Sequence, residues 1–402
     1  MYDEALSHIR VLDLTHHVAG PFCTKMLADY GAQVIKVERP SDGDMARRLG
    51  PFLKDHPHPE KSGTFLHLNT NKLGITLNIK SPAGIGIFKE LVNWADVVVE
   101  NFRPGVMERL GLPYSRLREL KPNLIMVSIS NFGQSGPYRD YRASEIVEYA
   151  IGGPMLFTGT KKREPLKLVS REGLCTAGQI AALATLMAVY CRDSDGSGDH
   201  IDVSIMDTEA GSIDRQSTLL LSHQYMGKRW SRFDTDKAAL FGLYRSKDGY
   251  IDVGVRNRLP GFLTMLKRPE LAEDPRFASE ETLDEPGNAK ALDEILKDWL
   301  SQHARTEIWR ESQKHRILAA PLFNMAEVLE DGHFRGRGFW TEVERRQVGT
   351  LEYPGRPFVM NASPWRLRMP APLLGQHNKE VFQGMLGYSS PELVRLRQMK
   401  VI

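Results

Sequence analysis

The stretch Val11-Leu-Asp-Leu-Thr-His-His-Val-Ala-Gly-Pro21 reads as one strand–loop–helix step of an open α/β sheet. Residues 9–14 are a compact apolar strand, and a polar loop follows. Pro21 falls where a helix accepts proline, in its first turn. The helix continues through Met26, Leu27 and Tyr30, with Gly31 as its C-terminal stop. Residues 34–37 make the next strand. The pattern then repeats: Pro82 opens a helix through Ile87, Leu91 and Trp94, Asp96-Val-Val-Val99 is a buried strand, and residues 124–129 are another. β-branched runs separated by helices predict a parallel sheet covered on both faces. The ligand of such a sheet gathers in the loops that leave its strands.

Further along, residues 173–191 predict a long, alanine-rich helix packed deep in the large lobe, with Arg192-Asp-Ser-Asp-Gly-Ser-Gly198 as a turn after it. His200-Ile-Asp-Val-Ser-Ile-Met206 resumes the alternation of a strand. From about residue 225 the pattern changes to a smaller α+β lobe, with a strand at 250–255 and helices near 289–303 and 306–316. Segments 340–344 and 348–353 predict a hairpin turning near Gly349. The boundaries expected are a large Rossmann-like domain over 1–224, a small domain over 225–330, and a return segment over 331–402 that completes the large one.

The 402 residues carry 53 basic and 50 acidic side chains, a net charge of +3, which gives no electrostatic case for nucleic acid. Cys23, Cys175 and Cys191 are the three cysteines and show no CxxC spacing, so neither a disulfide framework nor a metal site is expected. The first residues lack the pattern of a signal peptide. The apolar run 180–190 is too short to span a bilayer and reads as core. A cytoplasmic protein with no membrane partner is the expectation.

Three loops beside strands carry polar or glycine residues: Thr15-His-His-Val-Ala-Gly20, Asn69-Thr-Asn-Lys72 with Gly74, and Glu100-Asn-Phe-Arg-Pro-Gly105. The first enters a helix N-terminus, where free N–H groups favour a phosphate or carboxylate. With no G-x-G-x-x-G, a dinucleotide is poorly supported. Strand two ends in Ile35-Lys-Val-Glu-Arg-Pro40, and the loop Phe132-Gly-Gln-Ser-Gly-Pro-Tyr138 lets backbone approach a ligand closely at Gly133 and Gln134.

Together with Pro370-Ala-Pro-Leu-Leu-Gly-Gln-His-Asn378, these stretches resemble the class III coenzyme A transferases of the CaiB/BaiF type, the family of formyl-CoA transferase. The resemblance implies a two-lobe fold in which two chains interlock like rings. It implies CoA and acyl-CoA as substrates, with no permanently bound cofactor. A CoA cradle is expected on His16, His17, Val18, Ala19, Arg39, Lys72 and Arg103, with Gly133 and Gln134 near the acyl end. The implied reaction moves CoA from an acyl-CoA to a carboxylic acid.

In that family an aspartate near the start of the long helix attacks the thioester. Aligning Gly178 without gaps puts Leu174 there, and no aspartate occurs between Asp140 and Asp193. Three readings stay open. Glu172 could be the carboxylate, Cys175 could act instead, or the chain could be the aspartate-lacking partner in a hetero-oligomer of the benzylsuccinate type. The stretch Arg229-Trp-Ser-Arg-Phe-Asp-Thr-Asp-Lys237 lacks the glycines that close over the intermediate in several transferases, which points to the third reading. A racemase needs a His–Asp pair, and Ser144 stands where that histidine would be.

Overall fold

The structure, a computed structural model, describes residues 4–211, 216–227, 232, 239–255, 258–283, 285 and 287–402, and the side chains of 216–218 and 280 are not part of that description. The chain divides into two units. One comprises Met1–Thr158, Leu166–Trp230 and Arg337–Ile402, and the other Gly159–Pro165 and Ser231–Gly336.

The first unit is built on a six-stranded sheet of β1 (Arg10–Asp13), β2 (Gln33–Glu38), β3 (Lys72–Thr76), β4 (Val97–Glu100), β5 (Ile125–Ser130) and β6 (His200–Ser204). All neighbours are parallel, in the order β3-β2-β1-β4-β5-β6. The order reverses between β1 and β4, so the crevice beyond their C-terminal ends is where a doubly wound sheet takes its ligand. Alternate side chains feed two cores. Val11, Val97, Val99 and Val127 face α1 (Ala19–Asp29) and the long helix, while Leu12, Ile35, Val98 and Met126 face α2 (Pro82–Trp94). Fully buried side chains of this kind stabilise by roughly 1.5–3 kcal/mol each relative to exposure.

Three more helices of this unit matter for the site: α3 (Glu145–Ile151), α4 (Glu172–Asp195) and α5 (Ile205–Ala210). Helix α4 runs one turn beyond the sequence expectation, through Arg192, and ends on Gly196 in the left-handed region at φ +78°. It touches α1 so closely that a Cβ at Gly178 would lie 2.5 Å from Ala19 O. Its other face departs from the expectation of a helix packed deep in the large lobe: Ile180, Leu183, Met187 and Tyr190 are exposed. By length and composition α4 could cross a membrane, but Ala177, Ala181, Ala182 and Val189 pack into the core.

The tail returns to the sheet. The antiparallel hairpin β10 (Trp340–Arg345) and β11 (Gly349–Pro354) turns on Gly349 at φ +76°. His377 Nδ1 accepts from Gly74 N–H at 2.9 Å and Asn378 Oδ1 from Thr76 N–H at 2.8 Å, which satisfies the free edge of β3. Pro372 approaches Gly74 until a Cβ there would be 2.6 Å from its ring. The second unit has its own core under the antiparallel sheet of β7 (Phe241–Ser246), β8 (Gly249–Gly254) and β9 (Leu318–Pro321), backed by α6 (Asn288–Gln302). A last helix, α7 (Ser390–Gln398), carries a capping box at Ser389 and belongs to the first unit.

Candidate functional site

The loop after β1 is fixed from below by buried charges. Asp13 Oδ1 accepts from Thr15 N–H at 2.9 Å, and Oδ2 accepts from Thr24 Oγ1 at 2.6 Å and from Lys72 Nζ at 3.1 Å. Lys36 Nζ donates to Thr15 O at 2.9 Å and pairs with Asp44 at 2.7 Å. Burial alone would push the Asp13 carboxyl up, but Lys36 and Lys72 hold it well below the usual carboxylate range. The loop itself is held by side chains: His16 N–H donates to Asn101 Oδ1 and His17 N–H to Asp44 Oδ1, both at 2.8 Å. A Cβ at Gly20 would sit 2.3 Å from Thr15 Cβ, so only glycine allows the turn into α1.

Two cavities open beyond this loop, both walled by the first unit. The outer one, about 950 Å³, has an apolar floor from Leu14, Val37, Leu77, Ile79, Phe102 and Ile402. Its cations are Arg39, Lys80, Arg397 and Lys400, beside the polar groups of His16, Glu38, Ser41 and Asn78. Arg39 pairs with Asp42 at 2.9 Å, whereas the exposed Lys80, Arg397 and Lys400 have no ion-pair partner among the described residues.

The inner cavity, about 600 Å³, shares His16, Met45 and Phe102 with the outer one. Its walls include His17, Ala19, Arg103, Arg142, Ser130, Asn131, Glu145, Glu148 and Leu174. Burial lowers both His16 and His17, so the two rings are neutral at neutral pH. Burial pushes the Glu148 carboxyl up to about 7, helped by the charges of Glu145 and Glu209. The two cavities meet at His16, Met45 and Phe102; both carry basic side chains, and the inner one adds Arg103, Arg109, Arg139 and Arg142 to its carboxylates.

Comparison with known proteins decides the family. The model of CoA-transferase family III matches residues 6–378. The chain belongs to CoA-transferase family III. It is 32% identical to the succinyl-CoA–D-citramalate CoA-transferase of Chloroflexus aurantiacus, over 99% of this chain and 98% of that one. It is 30% identical to the beta subunit of the succinyl-CoA–L-malate CoA-transferase of the same organism, over 99% and 98%. It is also 32% identical to the formyl-CoA:oxalate CoA-transferase of Streptomyces coelicolor, over the whole of both chains. Among solved structures, a CAIB/BAIF family protein from Brucella suis superposes with a TM-score of 0.84 at 28% identity, covering 95% of this chain and all of that one. The parallel sheet with a separate small antiparallel sheet is thus the fold expected from the sequence.

Within this family III chain, His16, His17, Ala19 and Arg103 line the inner cavity and Arg39 lines the outer one. Val18 is buried at the N-cap of α1 and lines neither. Lys72 departs from the expectation of a phosphate ligand. Its Nζ is fully buried and donates to Asp13, to Pro21 O at 2.9 Å and to Asn69 Oδ1 at 2.9 Å, so all three of its protons are engaged under the loop. Burial draws Lys72 down to about 8 against the pull of Asp13. Gly133 and Gln134 also sit elsewhere. Gln134 N–H donates to Asp202 Oδ2 at 2.8 Å, and Gln134 lines a small cavity with Glu100 and His200 that shares Arg103 with the inner one.

Glu172 is exposed as the first residue of α4 and lines neither cavity, whereas Leu174, two positions on, is buried in the inner wall. A helix turns about 100° per residue, so those two positions face different ways. Cys175 is pushed up to about 11 by burial and the nearby Glu172, which leaves it a thiol rather than a thiolate. The stretch 229–237 lies outside the described residues apart from Arg232, whose Nε donates to Thr160 O at 3.0 Å. Arg397, Lys400 and Glu148 were missed by sequence reasoning. The first two lie some three hundred positions from the loops they face, and Glu148 reads as an ordinary helix-face glutamate.

Proposed function

We propose that this chain binds a CoA thioester along the run of the two cavities and takes part in moving CoA between an acyl-CoA and a carboxylic acid. The observation that carries this reading is the joining of a cation-lined cavity to an inner chamber through His16, Met45 and Phe102. CoA has a polyanionic nucleotide head and a long, thin arm ending in sulfur. Arg39, Lys80, Arg397 and Lys400 suit the phosphates, the apolar floor suits the base, and the arm would pass His16 and Phe102 toward His17, Ala19 and Arg103. In this reading Lys72 serves the loop and not the ligand.

The working assembly we propose is a dimer, with a second copy or with a related chain. The apolar outer face of α4 supports a partner of that kind. Leu174 in the inner wall favours a second reading, in which this chain binds CoA but an aspartate-bearing homologue does the chemistry. Three free cysteines fit a cytoplasmic setting. Calorimetry with CoA, followed by an exchange assay with succinyl-CoA and candidate acids, tests the proposal. Binding that weakens in Arg397→Ala supports it, and absence of any CoA binding by the full chain sinks it. Exchange that begins only when a homologue is added selects the second reading.

A further inference from the structure

Five acidic or thiol groups stand near the start of α4, and their surroundings separate them. Glu172 is exposed and outside the inner cavity. Cys175 remains a protonated thiol. Glu145 lines the cavity, but Lys167 holds one of its oxygens at 3.1 Å and Gly173 N–H donates to the other at 3.2 Å. Glu209 is buried against Gly173 with its Oε1 also unpartnered, but it does not line the cavity.

Glu148 differs from all of these. It is 1% exposed, lies in the wall that also contains Leu174, and projects from α3 beside α4 and α5. With the Asn131 amide turned to suit its neighbours, Nδ2 donates to Glu148 Oε1 at 2.9 Å while Oδ1 accepts from Ala143 N–H at 3.2 Å. Glu148 Oε2 has no hydrogen-bond partner, and neither has the buried Oγ of Ser130 in the same wall. Buried polar atoms are rarely left unpaired. Both residues line one chamber, as does His16, whose buried Nδ1 is likewise unpartnered, and three such residues mark a place where a ligand completes the bonding.

Resting on the reading of a CoA-thioester cavity given above, we propose that Glu148 is the carboxylate that takes up and hands on CoA in this chain, in the stead of an aspartate at position 174. One oxygen is oriented by Asn131, and the other, buried and without a hydrogen-bond partner, is the one assigned to the attack. That oxygen adds to the thioester carbonyl carbon, the C–S bond breaks, and CoA leaves as thiolate with a mixed anhydride left on Glu148. The thiolate then attacks Glu148 Cδ, breaking the anhydride C–O bond and releasing the donor acid as carboxylate. The glutamyl-CoA thioester so formed is attacked by the acceptor carboxylate, and thiolate attack on the new anhydride restores Glu148 and yields the new acyl-CoA. Each step exchanges one acyl bond for another, with no net proton or electron. Desolvation of the carboxylate raises its basicity and therefore its nucleophilicity.

The test uses the full chain with succinyl-CoA, and in parallel formyl-CoA, quenched with hydroxylamine. An acylated or CoA-bound glutamate becomes a hydroxamate, heavier by one NH group, and peptide mass mapping locates it. The expected result is a tag on Glu148, retained in Glu172→Gln and lost in Glu148→Gln. CoA exchange should fall by roughly a thousandfold or more in Glu148→Gln while CoA still binds, since a nucleophile is removed and the cradle is untouched. A tag on another residue overturns the assignment, as does no tag with either thioester while CoA binds in calorimetry. Failure to bind CoA at all removes the cavity reading itself, and the assignment with it. Because the wild-type tag is mapped directly, the outcome stands even if Glu148→Gln does not fold.

Discussion

The outer and inner cavities share His16, Met45 and Phe102 and have little else in common. The outer one has cations at its mouth, mostly exposed and several without partners, over an apolar floor. The inner one has arginines of its own, Arg103, Arg109, Arg139 and Arg142, but also a fully buried carboxylate, Glu148, pushed up to about 7. The difference is one of task. A fixed polyanion is held by charges that stay solvated until it arrives, and burying them in advance would cost their hydration. A reacting carboxylate benefits from the opposite treatment, because desolvation makes it more basic.

The largest expected effect comes from breaking what lies beneath both cavities. Lys72→Met leaves Asp13 buried with one of its two cations gone, and removal of one partner from a buried pair costs about 3–5 kcal/mol. Urea unfolding should show that loss, with CoA binding lost alongside it, whereas Arg103→Met should leave the unfolding midpoint in place. A matching drop in both variants would mean that Lys72 is no more structural than a lining residue.

Next in size, Arg397→Ala combined with Lys400→Ala should weaken CoA by roughly tenfold to a hundredfold, as expected for losing two charge-assisted contacts. The salt dependence should become shallower, and pantetheine, which lacks the nucleotide, should bind as before. Calorimetry at two ionic strengths reads this. Equal weakening of pantetheine would erase the division between the two cavities.

A smaller effect follows from pH. Glu148 binds its proton more tightly folded than unfolded, so the folded state carries more protons between the ordinary glutamate value of 4.5 and about 7. The Glu148 contribution to stability therefore falls as pH rises through that window and levels off above it, while His16, His17, His67, His200 and His377, which burial holds below the ordinary histidine value, contribute the opposite slope. Burial also raises Glu100 to about 7 with the same sign, so the Glu148 share is read from the difference between wild type and Glu148→Gln, the wild type losing stability relative to the variant as pH rises. Thermal unfolding across that range checks the sign. The smallest effect belongs to Glu172→Gln, which should move stability by less than about 0.5 kcal/mol, as exposed substitutions do.

Much of the sheet was legible because its strands are short apolar runs whose signal is local. Strands β1, β2, β4 and β5 fall within a residue or two of the expected segments. Strand β3 was read as a loop, since Lys72-Leu-Gly-Ile-Thr76 has two large apolar residues and takes its stability from pairing with β2 and from His377 and Asn378 of the tail. The site divided in the same way. Loops that follow strands announced His16, His17 and Arg103, but the burial of Lys72 depends on Asp13, fifty-nine positions earlier, and no local pattern encodes that. Glu172 and Glu148 look alike along the chain. Only the start of α4 and the packing of α3 beside it decide which carboxylate meets the chamber.

One wall of the outer cavity is made by Arg397, Lys400 and Ile402, and Asn78 N–H donates to Val401 O at 2.7 Å. The wall therefore exists only once segments more than three hundred positions apart have met, a closure that costs chain entropy. A ligand seated there would act as a clasp, drawing its binding energy partly into keeping the end of the chain docked. Amide hydrogen exchange would register that as slower exchange in Ser390–Gln398 on addition of CoA, at positions where no atom of the ligand need touch the backbone.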